Sequence, residues 1–223
     1  MVQKKHKVVL FANGDLPNPE RLKAQIGKED ILIAVDGGLA YMIALDLTPS
    51  LIIGDLDSAD PEDVQRFQSQ GVEVHKYPVD KDETDLELAL ETTLEMNPTS
   101  ILVAGALGKR LDQTPGNIFL LTKTSLKGMD LRLVDGIREV FLIRDSASIT
   151  GKSGQRLSLI PLNEPAVGVR TTGLKYPLRH ETLYPDRTRG ISNYLTDTSA
   201  TVTLDQGLLL CIHQTDEPAE RSD

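Results

Sequence analysis

Over its first 136 residues the chain alternates short apolar runs with amphipathic stretches. Lys7–Phe11, Ile31–Val35, Leu51–Ile53, Val72–His75, Ile101–Gly105 and Leu131–Val134 read as strands. Between them, Pro19–Ile26, Leu39–Asp46, Pro61–Gln70, Leu86–Met96 and Pro115–Thr124 carry helical periodicity. A βαβα order with short connections predicts an α/β domain, a mostly parallel sheet with flanking helices. Helical periodicity fades after residue 136. Glu139–Ile143, Arg156–Ile160, Ala166–Thr171, Ala200–Leu204 and Leu208–His213 are short β-rich runs punctuated by Gly and Pro. They predict a C-terminal all-β domain of sandwich or barrel type over 137–216, followed by a polar, disordered tail over 217–223.

Charge sharpens this picture. The net charge is −9, and residues 46–95 alone hold 14 acidic against 3 basic side chains, −11, leaving about +2 for the remainder. Such a segment is either a solvated acidic surface or a cation site. Two of its carboxylates, Asp55 and Asp57 in LIIGDLDSAD, directly follow an apolar strand, where positions i and i+2 share a face. Carboxylates held that close repel unless a cation or a shared proton lies between them. Hard oxygen ligands suit Mg²⁺, and Mg²⁺ suits a polyphosphate. The acidic balance and the lack of a basic cluster argue against nucleic acid. The N-terminal apolar stretch is too short for a signal core or a membrane span. The single cysteine, Cys211, allows no internal disulfide and fits a reducing cytoplasm.

Ligands of open α/β sheets bind beyond the carboxyl ends of the strands, and five segments converge there: Asn13–Asp15, Asp36–Gly38, Gly54–Asp57, Tyr77–Asp85 and Gly105–Asp112. Thr84-Asp85-Leu86-Glu87 fits a capping box, so Asp85 either complements a helix dipole or adds a third carboxylate to a metal site. Asp82 fits a turn. Gly37 and Gly38 open a helix where backbone N–H groups can approach phosphate, and Asp36 beside them would face metal, ribose or base. Lys109 and Arg110 form an adjacent basic pair suited to clamping phosphates, although Arg110 has Asp112 within reach as an alternative partner. Gln113 or Thr114 is expected to cap the following helix, with Pro115 in its first turn. Tyr176 either stacks on a flat ring or covers a domain edge.

The ordered motifs AVDGG, GDLDS, KDETD, GALGKRLDQ, TTGLKYPL and ISN resemble the thiamine pyrophosphokinase (thiamine diphosphokinase) family over nearly the whole chain. The resemblance implies ATP-dependent transfer of pyrophosphate to the hydroxyethyl group of thiamine with release of AMP. It also implies Mg²⁺, an ATP-binding α/β domain over 1–136, a thiamine-binding β-sandwich over 137–216, and a homodimer with thiamine between subunits. By motif position, Asp55, Asp57 and Asp85 match the metal-binding and catalytic acids. Asp36, Lys81, Thr84, Arg110, Asp112 and Gln113 match the nucleotide side, and Ser192 and Asn193 the substrate side. Tyr176 stands where the family often has Trp, and Lys109 where it often has Gly. Three rivals remain open at this point: a haloacid-dehalogenase-type phosphatase using the DxD of LIIGDLDSAD, a pyrophosphokinase for another small alcohol such as a pterin carbinol, and a non-enzymatic thiamine or nucleotide sensor.

Overall fold

The computed structural model describes residues 6–215. The expected tail over 217–223 therefore lies outside the described residues. The chain divides after Gly136 into two compact units.

In the first unit, six strands, β1 (Lys7–Phe11), β2 (Ile31–Val35), β3 (Leu51–Gly54), β4 (Glu73–Lys76), β5 (Ser100–Ala104) and β6 (Asp130–Val134), pair in the order β6-β5-β1-β2-β3-β4. Every pair is parallel. The near-continuous apolar runs of β1, β2 and β3 follow from this, because a parallel sheet is covered on both faces. The marginal strand β4, EVHK, is only partly buried and carries charge, which blunts its edge. Chain order reverses between β1 and β5, which creates a crevice at their carboxyl ends.

The connecting helices are α1 (Pro19–Lys23), α2 (Leu39–Ala44), α3 (Pro61–Ser69), α4 (Asp85–Glu95) and α5 (Gln113–Leu120). Asn18, Asp60 and Thr84 cap α1, α3 and α4 by accepting hydrogen bonds from Arg21, Glu62 and Glu87 N–H. Several helices end earlier than periodicity predicts. Beyond α1, α2 and α5 the chain continues in i→i+3 turns, as in Ile26 N–H to Lys23 C=O, Asp46 to Ile43, and Lys123 to Leu120. The apolar spacing thus outlasts the α-helix by about a turn. The cap of α5 also differs from expectation. Asp112, not Gln113 or Thr114, occupies the N-cap position, and its side chain makes no capping bond. Pro115 is accordingly the third helical residue, where its missing N–H is still one of the unpaired first-turn donors.

The second unit contains β7 (Arg138–Ile143), β8 (Ser146–Thr150), β9 (Arg156–Pro161), β10 (Ala166–Thr172), β11 (Arg179–Leu183), β12 (Asn193–Tyr194), β13 (Ser199–Thr203) and β14 (Leu209–Gln214). They form two antiparallel sheets, β12-β9-β14-β7 and β11-β10-β13-β8. Inward residues of both sheets, including Phe141, Leu157, Leu209 and Cys211 from one and Ile149, Val169, Leu183 and Val202 from the other, share one core. This is a sandwich. Strands β8, β11 and β12 are absent from the hydrophobic pattern for a physical reason. SASIT and RHETL are the terminal strands of their sheet and bury few side chains, and β12 is two residues long.

Candidate active site

A cleft of about 570 Å³ opens where the first unit's chain order reverses. Its lining comes from the ends of β1 to β5: Ala12–Gly14 after β1, Val35 and Asp36 at the end of β2, Asp55 after β3, Val79, Lys81 and Glu83–Glu87 between β4 and the first turn of α4, and Gly105, Ala106, Gly108, Arg110 and Asp112 after β5 with Gln113, Gly116, Asn117 and Leu120 of α5. Among the residues singled out in the sequence, Asp36, Asp55, Lys81, Thr84, Asp85, Arg110, Asp112 and Gln113 line it.

Asp36, Asp55 and Asp57 each place a carboxylate oxygen within 4.8 Å of the other two. Asp85, the third carboxylate weighed from the sequence, is not in this group but lies beside Asp55. A strand pleat does not bring Asp55 and Asp57 together, because β3 ends at Gly54. A left-handed turn at Leu56 (φ 65°) does so instead. A bulky residue with positive φ is an outlier that persists only where its surroundings hold it. Here Asp57 N–H donates to Asp55 Oδ1 (3.1 Å), and Ser58 Oγ donates to Asp57 Oδ1 (2.9 Å). Ser58 N–H donates to Asp36 Oδ1 (3.2 Å), tying the β2 and β3 loops together. Gly54 admits the arrangement: a Cβ there would lie 3.1 Å from Asp36 Cβ and 3.3 Å from Asp85 Cγ.

Asp85 faces the same loop from the first turn of α4. Its Oδ1 accepts Asp55 N–H (3.1 Å) and lies 3.0 Å from Lys81 Nζ. Lys81 also reaches Asp55 Oδ2 (3.4 Å) and donates to Pro78 C=O (3.0 Å). Glu87 fulfils only half of the expected capping box. Its N–H bonds Thr84 Oγ1 (3.2 Å), while its carboxylate pairs with Lys123 (2.6 Å).

Titration follows the geometry. Burial holds the Asp36 carboxyl above its usual range; hydrogen bonds from Gly37 and Ser58 N–H oppose this, and the charge of Asp57 adds to it. The Asp57 N–H bond holds Asp55 below its usual range, with burial opposing and Lys81 assisting. Burial disfavours charge on Lys81, but Asp85 and Asp55 outweigh it and raise its pKa. A raised carboxyl pKa makes ionised Asp36 a net cost to the folded state. That cost is present in full above its folded pKa and vanishes below the unfolded value. In metal-free protein, Asp36→Asn should therefore raise the thermal midpoint at neutral pH by about 2–4 °C. The gain should shrink as pH falls through the folded pKa, which parallel melts of the two proteins at several pH values would show.

The loops after β1 and β5 are zipped together. Gly14 N–H and Asp15 N–H donate to Gly105 and Leu107 C=O (2.5 and 2.7 Å), and Lys109 N–H donates to Asp15 Oδ2 (2.9 Å). Lys109 Nζ is engaged by Asn13 C=O and Oδ1 (3.0 and 2.9 Å), and Asn117 Nδ2 holds Ala106 C=O (2.8 Å). Arg110 takes the alternative weighed for it, a bidentate pair with Asp112 (3.2 and 2.5 Å) at the exposed rim. That pairing raises the Arg110 pKa and lowers that of Asp112.

Gly37, Gly38, Asp57 and Lys109 are not among the lining residues (the two glycines are buried, Asp57 and Lys109 exposed), whereas Tyr176, Ser192 and Asn193 belong to the second unit. There Tyr176 is half exposed, with Lys175 Nζ 5.7 Å from its ring centroid. Ser192 (φ 59°) donates its N–H to Ser158 Oγ (3.0 Å), and Asn193 is buried.

A family model described as "Thiamin pyrophosphokinase, catalytic domain" matches residues 22–133, and one described as "Thiamin pyrophosphokinase, vitamin B1 binding domain" matches 146–209. Thiamine pyrophosphokinase of Bacillus subtilis (strain 168) is 32% identical over 186 residues, 82% of this chain and 87% of that protein. The chain belongs to the thiamine pyrophosphokinase family. A plant member, thiamine pyrophosphokinase 1 of Oryza sativa subsp. japonica, is 29% identical over 74% of the chain, which spans 66% of that relative's length. Among solved structures, thiamine pyrophosphokinase from Bacillus subtilis superposes with a TM-score of 0.84 at 28% identity, covering 96% of this chain and 100% of that one. The protein from Geobacillus thermodenitrificans gives 0.80 at 27%, covering 96% and 99%. The first thiamine pyrophosphokinase model covers the acidic residues of the cleft, and the second contains Tyr176, Ser192 and Asn193. A match in both units removes the phosphatase reading of LIIGDLDSAD, which had no use for the second.

Proposed function

We propose that the chain transfers the β,γ-pyrophosphoryl group of ATP to the hydroxyethyl oxygen of thiamine, giving thiamine diphosphate and AMP. The observation carrying this reading is the convergence of Asp36, Asp55 and Asp57, the first two lining the cleft, in a chain whose other unit matches a vitamin B1-binding domain. The cleft wall holds Asp36, Asp55, Glu83, Asp85, Glu87 and Asp112 against Lys81 and Arg110. Such a wall repels a triphosphate until divalent charge offsets it. The hard carboxylate oxygens of Asp36, Asp55 and Asp57, with Asp85 adjacent, fit Mg²⁺. Bound there, Mg²⁺ would neutralise phosphate charge.

The chain's own groups supply position and electrostatics. Lys81 directs its ammonium at the phosphates from beside Asp55, and Thr84 fixes the start of α4. Gly37 and Gly38, both buried, let the β2 loop close onto Asn13 and Phe11 and so hold Asp36 at the cleft. Arg110 exchanges the Asp112 carboxylate for phosphate oxygens of like fork geometry, and Asp112 and Gln113 shape that rim. Lys109, through Asn13, keeps the β1 and β5 loops joined beneath the nucleotide. The thiamine oxygen bonds to the β-phosphorus as the bond from that phosphorus to the α–β bridging oxygen breaks. AMP departs with the electron pair and the hydroxyl hydrogen leaves as a proton. Catalysis is then mostly positioning and charge stabilisation.

On the substrate side, Tyr176, Ser192 and Asn193 form the thiamine-recognition edge, and two copies of the chain assemble as a homodimer with thiamine between subunits. The protein works in the cytoplasm. Among the described residues no helix is long and apolar enough to cross a membrane, and Cys211 is buried and outside any disulfide. Incubation with ATP, Mg²⁺ and thiamine, followed by chromatography of nucleotides and thiamine esters, should yield AMP and thiamine diphosphate one to one. A pterin carbinol in place of thiamine should yield neither. ADP as the sole nucleotide product would refute the proposal.

A further inference from the structure

Asn193 is unusual among the substrate-side residues because its amide is already occupied. Oδ1 accepts Tyr176 N–H (3.0 Å) and Tyr194 N–H (2.9 Å), and Nδ2 donates to Tyr176 C=O (2.7 Å). A side-chain amide has two donors and two acceptor sites, so three of its four capacities serve the backbone. The residue is only 6% exposed. By bonding both the N–H and the C=O of Tyr176, the side chain does for that residue what a neighbouring strand would do.

The loop around Tyr176 is fastened elsewhere too. Thr196 N–H donates to Gly173 C=O (2.9 Å) and Lys175 N–H to Tyr194 C=O (2.9 Å). Thr171 Oγ1 accepts Leu178 N–H (2.8 Å). Between these ties, Asn193 is the attachment at Tyr176 itself. An aromatic side chain that is 50% exposed is therefore presented from a backbone pinned from below, with Lys175 across one face. Ordering such a ring before binding spares the ligand that entropic cost.

We infer that Asn193 is a positioning residue. It acts through the Tyr176 backbone, sets the ring against which the flat, cationic part of thiamine lies, and does not itself touch the substrate. This inference rests on the thiamine reading of the second unit.

The test is a double-mutant cycle on the full chain, reading KM and kcat for thiamine and for ATP. Asn193→Ala should raise the thiamine KM roughly tenfold, with kcat and the ATP KM within about twofold, the signature of lost uniform binding. Asn193→Asp keeps both acceptor bonds but turns an oxygen towards Tyr176 C=O, and should also raise the thiamine KM. It takes the place of Asn193→Ala in the cycle if the alanine variant does not fold. The decisive arm is Tyr176→Ala. Adding the Asn193 substitution to it should cost nothing more, because the ring through which Asn193 acts is gone. Additive losses would mean that Asn193 contacts thiamine directly and would overturn the inference, as would an unchanged thiamine KM in either single variant. If the wild-type chain binds thiamine but forms no AMP, the functional reading fails while calorimetric thiamine affinities of the same four proteins still decide the role of Asn193. A wild-type chain that binds no thiamine overturns both.

Discussion

Asp55→Ala is expected to lower AMP formation by roughly 10²–10³-fold, with the folded state retained. Three functions end together in this variant. The cluster loses the carboxylate that lies within 4.8 Å of both Asp36 and Asp57. Asp57 loses the acceptor of its N–H, and with it one bond that sustains the left-handed turn at Leu56. Lys81 loses one of its two anionic partners and relaxes towards Asp85, 3.0 Å away. Saturating substrates should not rescue the rate, because stabilisation of spread phosphate charge is lost in the transition state. Single-turnover AMP formation at saturating ATP and thiamine would measure this, with circular dichroism to verify folding. A wild-type rate in Mg²⁺ would remove Asp55 from the site.

Gly38→Ala should produce the largest loss of stability. Gly38 lies in the 3-10 turn that joins β2 to α2, and its φ of −61° is open to any residue. Space is what demands glycine: an added Cβ would sit 1.8 Å from Phe11 C=O oxygen and 2.9 Å from Ala12 N. Those are backbone atoms at the buried end of β1 and just beyond it, so no side chain can swing aside. Either the turn or β1 must shift, at a cost of about 3 kcal/mol or more, which lowers the thermal midpoint by roughly 10 °C. Gly71→Ala is the control for handling rather than for space. Nothing lies within 4 Å of its added Cβ, although its φ of 91° makes it a strained site. A Gly38→Ala melt indistinguishable from wild type would contradict the packing described for the β1–β2 edge.

The parallel sheet was legible because burial on both faces writes itself as unbroken apolar runs, VVLF, ILIAV and LII. The strand-end loops were legible because Gly, Asp and Asn mark them. What stayed hidden was set by through-space geometry. Asp36 joins Asp55 and Asp57 because β2 and β3 are neighbours in register and Ser58 bridges their loops. No spacing along the chain encodes that, although an Asp immediately before Gly-Gly, in a residue type that tolerates positive φ, was a usable hint. The β8 and β11 strands escaped notice because sheet-terminal strands bury too little to alternate visibly. Arg110 shows a limit of another kind. Its sequence context permits a clamp or a local pair, and in the structure Asp112, two residues on, takes the fork. Motif resemblance set Asn193 on the expected substrate side, but its three bonds to backbone could not be foreseen from ISN.

Phosphorus NMR of the products tests the central claim most directly. After reaction of the full chain with ATP, Mg²⁺ and thiamine, the account predicts a thiamine ester carrying two coupled phosphorus signals and a nucleotide carrying one. A thiamine ester with a single phosphorus, accompanied by a two-phosphorus nucleotide, would contradict it.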